Sequence, residues 1–127
     1  MQKELDSNGS CVFSRKGFGF MASQVTLDDA VEIAKRFAHR IRAEFDSEAV
    51  VYLYGSVVKA QNNSESDIDI AVVSKAFTND VCKNYALVNF IAFDINDNID
   101  AQAIIYEDWI DKTPFTVEVE RQGVLIA

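Results

Sequence analysis

The sequence predicts a single α/β (α+β) domain, and three observations carry that expectation. The chain has 127 residues, the size of one domain and too short for two. Apolar residues make up 49% of it, enough to build a core rather than leave the chain disordered. Along the chain the apolar positions switch between helical and strand periods, in the order helix, strand, short helix, strand, helix, strand, helix.

Residues 1–23 stand outside that alternation. Ser7-Asn8-Gly9-Ser10 and Lys16-Gly17-Phe18-Gly19-Phe20 are loop-like and hold no sustained period, so this stretch reads as an N-terminal extension ahead of a domain over 24–127. A flexible arm, an added strand and translated sequence upstream of a start at Met21 all fit it. The first helix opens at Thr26, an N-cap residue followed by Asp28 and Asp29 in the first turn. Leu27, Val31, Ala34, Ala38, Ile41 and Phe45 recur at helical spacing and define its expected buried face. Ala49–Tyr54 is β-prone and apolar on both faces, which predicts a strand buried on both sides. It runs into Gly55-Ser56, where a short helix should begin. Asp67–Val73 reads as the second strand. Thr78 or Asn79 could cap the next helix, whose apolar positions are Val81, Tyr85, Val88, Ala92 and Ile95. Ile99–Ile105 is a third strand, and Glu107-Asp108-Trp109 a short helical turn. Thr113-Pro114 starts a last helix and Gly123 ends it, before a short β-prone Val124–Ile126.

Composition excludes several function classes. Twenty acidic against twelve basic side chains leave a formal charge of −8, which argues against gripping nucleic acid by the chain's own surface. It suits a neutral or cationic partner. No apolar run is long enough to span a bilayer. Met1–Asp6 carries acids where a secretory signal would carry cations, so the expected location is cytoplasmic. Cys11 and Cys82 form no CxxC spacing and read as two reduced thiols. The single histidine, His39, lies off the apolar stripe and reads as a solvated residue, which excludes a zinc site built from several imidazoles. Trp109 reads as a plug at the core edge or a partner surface, and Tyr52 and Tyr54 as core residues.

The chemistry concentrates in Gly55-Ser56, ten residues, then Asp67-Ile68-Asp69. A strand that ends in Gly-Ser and leads into a helix offers unpaired N–H groups, a hydroxyl and the positive end of a helix dipole, which together bind phosphate. Gly55 allows close backbone approach. Asp67 and Asp69 alternate with Ile68 and Ile70, so both carboxylates leave the same face of one strand. Such a pair repels itself, and a hard divalent cation relieves that repulsion. Phosphate donors beside a cation-holding pair describe a nucleoside triphosphate site.

Leu53-Tyr54-Gly55-Ser56 followed by Ser66-Asp67-Ile68-Asp69-Ile70-Ala71-Val72 resembles the signature of the nucleotidyltransferase superfamily related to DNA polymerase β. The resemblance runs from about Leu27 to the C-terminus, and the size is similar to that of the minimal nucleotidyltransferases (MNT) paired with all-helical HEPN partners in toxin–antitoxin systems. It implies the nucleotidyltransferase fold, a small mixed sheet with helices mainly on one face and the metal and nucleotide site on the other. It also implies transfer of an NMP, AMP from ATP, to a hydroxyl. Two Mg²⁺ ions roughly 3.5–4 Å apart would serve the two sides of the displacement, held by Asp67, Asp69 and a third carboxylate. Ile99-Asp100-Ala101-Gln102-Ala103, followed by Glu107-Asp108-Trp109, Pro114-Phe115, Glu118 and Gly123-Val124, resembles the segment that supplies the third one. That makes Asp100 the candidate, with Asp97 as the fallback. Gly55 and Ser56 would hold the β/γ end of the triphosphate.

One departure stands out. Where many members follow Gly-Ser with Arg, a small residue, Arg and Gly, this chain has Val57, Val58, Lys59 and Ala60. Lys59 keeps the second basic position and is the candidate phosphate contact, while Val57 lacks a donor. A core of this size holds triphosphate and metals but not the acceptor, so the acceptor is expected on a partner, a HEPN-type protein or a second copy of the chain. The rival readings are an adenylyltransferase acting on an aminoglycoside-type antibiotic and a catalytically silent partner-binding module.

Overall fold

In the computed structural model, residues 2–5, 11–14, 26–55, 57–58 and 67–126 are described. The elements are β1 (Gln2–Leu5), β2 (Cys11–Ser14), α1 (Leu27–Glu44), β3 (Val50–Tyr54), β4 (Ile68–Ser74), α2 (Val81–Ile95), β5 (Ile99–Ile105), α3 (Tyr106–Asp111), α4 (Pro114–Gln122) and β6 (Val124–Ile126). Four strands form one mixed sheet in the order β5-β4-β3-β6. The β4–β5 pair is parallel, with α2 as its crossover, and β3 is antiparallel to both β4 and β6. The expected α/β domain with a small mixed sheet is therefore what the chain forms. Within the N-terminal segment, β1 and β2 make an antiparallel ribbon.

The main core lies between the sheet and α1 plus α2. Val51 and Leu53 of β3, Ile68, Ile70 and Val72 of β4, and Ile99 and Ala101 of β5 meet Ala34, Phe37, Ile41 and Val88 there. A second, smaller cluster on the opposite face joins Ala71, Val73 and Ile104 to Val119 of α4, with Tyr52, Tyr54, Tyr106 and Trp109 at its margin. Trp109 thus plugs a core edge as expected, its ring 5.5 Å from that of Tyr52.

Several local expectations shift by a residue or a face. Thr26 caps α1 as predicted, accepting from Asp29 N–H at 3.1 Å. The buried stripe of α1 is Ala30, Ala34, Phe37, Ala38 and Ile41, while Leu27 is 44% exposed. Phe37 explains the rotation: the largest side chain on the helix takes the core, and the alanines beside it let the helix lie close to the sheet. For α2 the cap is Asp80, which accepts from Lys83 N–H at 3.1 Å, rather than Thr78 or Asn79. Thr78 instead braces the preceding loop, trading hydrogen bonds with the Asn84 side chain at 2.7 and 3.0 Å. Val81, first in the helix, is 63% exposed. β3 alternates rather than being buried on both faces, with Val50 and the two tyrosines less covered than Val51 and Leu53. The short helix expected after Gly55-Ser56 lies outside the described residues, apart from a turn at 57–58. His39 is exposed, as expected.

Cys82 corrects the expectation of two reduced thiols, because it is disulfide-bonded. The physical reason is proximity: β2, which begins at Cys11, lies against α2, whose first turn carries Cys82. Among the described residues no helix is long and apolar enough to cross a membrane.

The helix ends and one cation fix the last elements onto the sheet. Lys112 takes a left-handed backbone (φ 55°) that ends α3, and Pro114 opens α4 at its first position. Gly123 ends α4 because of space, not dihedral angle: a Cβ there would stand 2.4 Å from Val119 O and 3.2 Å from Leu53 O. Arg42, in the last turn of α1, donates from Nε to Ala49 O (3.1 Å) and from Nη2 to Ile126 O (3.0 Å). It thereby anchors the entry to β3 and the end of β6.

Candidate active site

The site begins with the period of a strand. In β4, Ile68 and Ile70 are fully buried against the helices, so Asp69 between them must face the other side of the sheet. The same alternation in β5 buries Ile99 and Ala101 and turns Asp100 to that side. Parallel pairing sets Asp69 directly opposite Asp100, and antiparallel pairing sets Tyr54 opposite Asp69. Tyr54, Asp69 and Asp100 therefore form one row across three strands. Neighbours in such a row have Cβ atoms about 5 Å apart, within reach of a shared ligand.

Gly55 follows immediately, with φ +82°. A Cβ at this position would sit 2.1 Å from Asp69 Oδ2. Only glycine takes this backbone without strain, and only glycine lets the Asp69 carboxylate rest against the chain at the end of β3.

Tyr54 reports the electrostatics of the row. Burial pushes its phenol far above the ordinary tyrosine range, and Asp69, Asp100, Tyr85 and Glu118 all act in the same direction. The phenol is thus a neutral hydroxyl in a field of carboxylates. Its ring meets Phe115 of α4 edge-on at 5.6 Å.

Asp100 is held from α2. Tyr85 Oη donates to Asp100 Oδ1 at 3.2 Å. One turn further on, fully buried Asn89 donates from Nδ2 to Ala101 O (2.8 Å) and Tyr85 O (2.9 Å), and its Oδ1 accepts from Ala101 N–H at 3.1 Å.

The candidate residues divide accordingly. Asp69, Asp100 and Gly55 are brought together. Asp67 is exposed, one residue before β4 begins. Its neighbour Ile68 donates to Asn98 O at 2.8 Å, which sets Asp67 beside the turn that also carries the fallback residue Asp97. Among the described residues no three carboxylate, imidazole or thiol side chains converge as a ready-made cation cluster. Ser56 and Lys59 lie outside the described residues. Val57 is buried in the main core. Tyr85 and Asn89 were not legible as site residues: Tyr85 reads as one more apolar helix position, and the only trace of Asn89 is an amide in an otherwise apolar stretch. Glu118 stands out in the sequence only through its place in the resembling segment.

The donor set suits a hard divalent cation. Two half-buried carboxylates side by side repel each other unless a positive charge joins them, and oxygen ligands of this kind hold Mg²⁺ with substrate phosphates completing its shell. The space that a Cβ on Gly55 would fill is taken by the Asp69 carboxylate.

The family model described as polymerase beta nucleotidyltransferase matches residues 27–127. Among solved structures, the chain is similar to a crystal structure of a candidate nucleotidyltransferase from Sulfolobus solfataricus. The TM-score is 0.58 at 22% sequence identity, covering 78% of this chain and 80% of that one. At that identity the likeness speaks for the fold. No curated protein matches.

Proposed function

The chain belongs to the polymerase β nucleotidyltransferase family, and from that premise we propose that it moves an NMP, AMP from ATP, to a hydroxyl on a partner protein. The partner fitting this reading is a helical HEPN-type protein, with this chain as the antitoxin of the pair. The observation that carries the proposal is the register of Asp69 against Asp100, with Gly55 packed on Asp69. Both carboxylates would hold Mg²⁺, with Asp67 at the strand entrance as a further ligand. Bound there, Mg²⁺ supplies Lewis-acid polarisation of phosphate and acceptor oxygens.

The rest falls to the chain's own groups. Asp100 orients the attacking hydroxyl and accepts its proton. Gly55 and Ser56, with Lys59, take the β/γ end of the triphosphate through backbone N–H groups and a cation. Tyr54 stays protonated, so it offers a hydrogen bond without adding negative charge to the row. The attack is in line at the α-phosphorus, and pyrophosphate leaves. Little bond-making falls to the protein, so the rate comes from positioning and charge neutralisation.

Val57 favours a second reading, a partner-binding module without transfer, since a core valine offers no donor to phosphate. One experiment separates the readings: incubation with labelled ATP, Mg²⁺ and the product of the neighbouring reading frame. Label on the partner that disappears with Asp69→Asn is the expected result. A tight complex that never acquires label favours the binding module, and label only on an added aminoglycoside favours the antibiotic-modifying reading.

A further inference from the structure

We propose that Tyr85, braced by Asn89, is a positioning residue for Asp100, so that α2 rather than β5 decides where the second carboxylate of the row points. The inference rests on the reading of Asp69 and Asp100 as cation ligands. Among the described residues β5 is the outer strand of the sheet, with a strand neighbour, β4, on one side only. On its other side Asn89 bonds both the N–H and the C=O of Ala101. A side-chain amide carries the same donor and acceptor as a peptide, so Asn89 serves there as a one-residue strand. It covers an edge that would otherwise be open and fixes the backbone next to Asp100.

Asn89 is itself held, because its amide also donates to Tyr85 O. The Tyr85 hydroxyl then donates to Asp100 Oδ1. Backbone and carboxylate are thus gripped from the same helix, one turn apart. This matters because two carboxylates in register repel. Left to itself, Asp100 would rotate away from Asp69. A donor on Oδ1 lowers that repulsion and holds the carboxylate in the row. Tyr85 is nearly buried, so water does not compete effectively for the same oxygen.

Tyr85→Phe removes one oxygen and keeps the ring that packs, so the fold is expected to survive, with a melting temperature within a few degrees of the parent. Two measurements test the inference on the full chain: a crystal structure of Tyr85→Phe, and calorimetric titration with Mn²⁺ of the parent, Tyr85→Phe, Asp100→Asn and the double variant. The expected outcome is an Asp100 carboxylate turned away from Asp69, with Mn²⁺ affinity lowered about fivefold, the worth of one such hydrogen bond. The Tyr85→Phe change should cost nothing further in the Asp100→Asn background. An Asp100 that stays in place, or an undiminished loss in the double variant, overturns the proposal. If Asp100 turns in Tyr85→Phe while the parent binds no Mn²⁺, the cation-ligand reading fails and the positioning role stands.

Discussion

At the scale of single residues, the site depends on one missing methyl group. Gly55 combines a left-handed backbone with a carboxylate lodged where its Cβ would be. Gly55→Ala should therefore cost about 1–2 kcal/mol from the backbone alone, and it should also displace Asp69. The expected outcome is a melting temperature lower by on the order of 5 °C together with loss of most nucleotidyl transfer, measured on the same preparation. A variant that melts lower yet transfers at the parental rate would show that Asp69 can work from another position. Legibility at this scale follows from chemistry that leaves a spacing. Gly55 and Asp69 are readable because Gly-Ser on one apolar strand and Asp-x-Asp on the next keep a recognisable spacing, whereas Asp100 is readable only through the segment it resembles. Tyr85 is not, since its ring packs like any core aromatic and its one functional oxygen leaves no mark on the period. Asn89 escapes for a related reason: a helix gives no hint that a buried amide will find a strand edge.

Between elements, short polar contacts do what packing alone does not. The loop joining α1 to β3 carries Asp46, which accepts from Ser74 Oγ at 2.5 Å and from Glu48 N–H at 3.0 Å. This fastens the entrance of β3 to the exit of β4. The Ser74 hydroxyl, followed by the Glu48 N–H, holds the Asp46 carboxyl below its usual range. A carboxyl lowered in the folded state contributes stability above its unfolded pKa of about 4 and loses it as pH falls through the folded value. Ser74→Ala should accordingly be less stable by about 1 kcal/mol in urea unfolding at pH 7, and the deficit should shrink as the pH drops below about 4. A deficit that is constant with pH would assign it to packing instead. Elements were legible where a cap and a period agree, as at Thr26 and at Thr113-Pro114. The sequence is ambiguous where several side chains compete for one task. Thr78, Asn79 and Asp80 can each cap α2, and the choice falls to Asp80 because Thr78 is engaged with Asn84. The buried face of α1 likewise depends on where Phe37 fits, which is a property of the sheet beneath it.

For the whole molecule, the α/β order and the mixed sheet follow from the alternation of periods, while the disulfide at Cys82 does not. Two cysteines far apart in sequence say nothing of their distance until β2 is laid against α2. The net charge of −8 suits a neutral or cationic partner. Arg42 has a consequence in time rather than space. Its guanidinium joins Ala49 to Ile126, and β6 pairs with β3 across the whole intervening run of β4, α2, β5, α3 and α4. Contacts between such distant segments carry the largest loop-closure cost and form late. The half of the sheet holding Asp69 and Asp100 can thus be assembled while its other edge is still open. Arg42→Met should then leave the folding rate nearly unchanged and speed unfolding, which the two arms of a denaturant chevron report separately. An equal slowing of folding would mean that β6 docks early. With late docking, this residue acts as a latch: it delays the opening of the sheet without hastening its assembly.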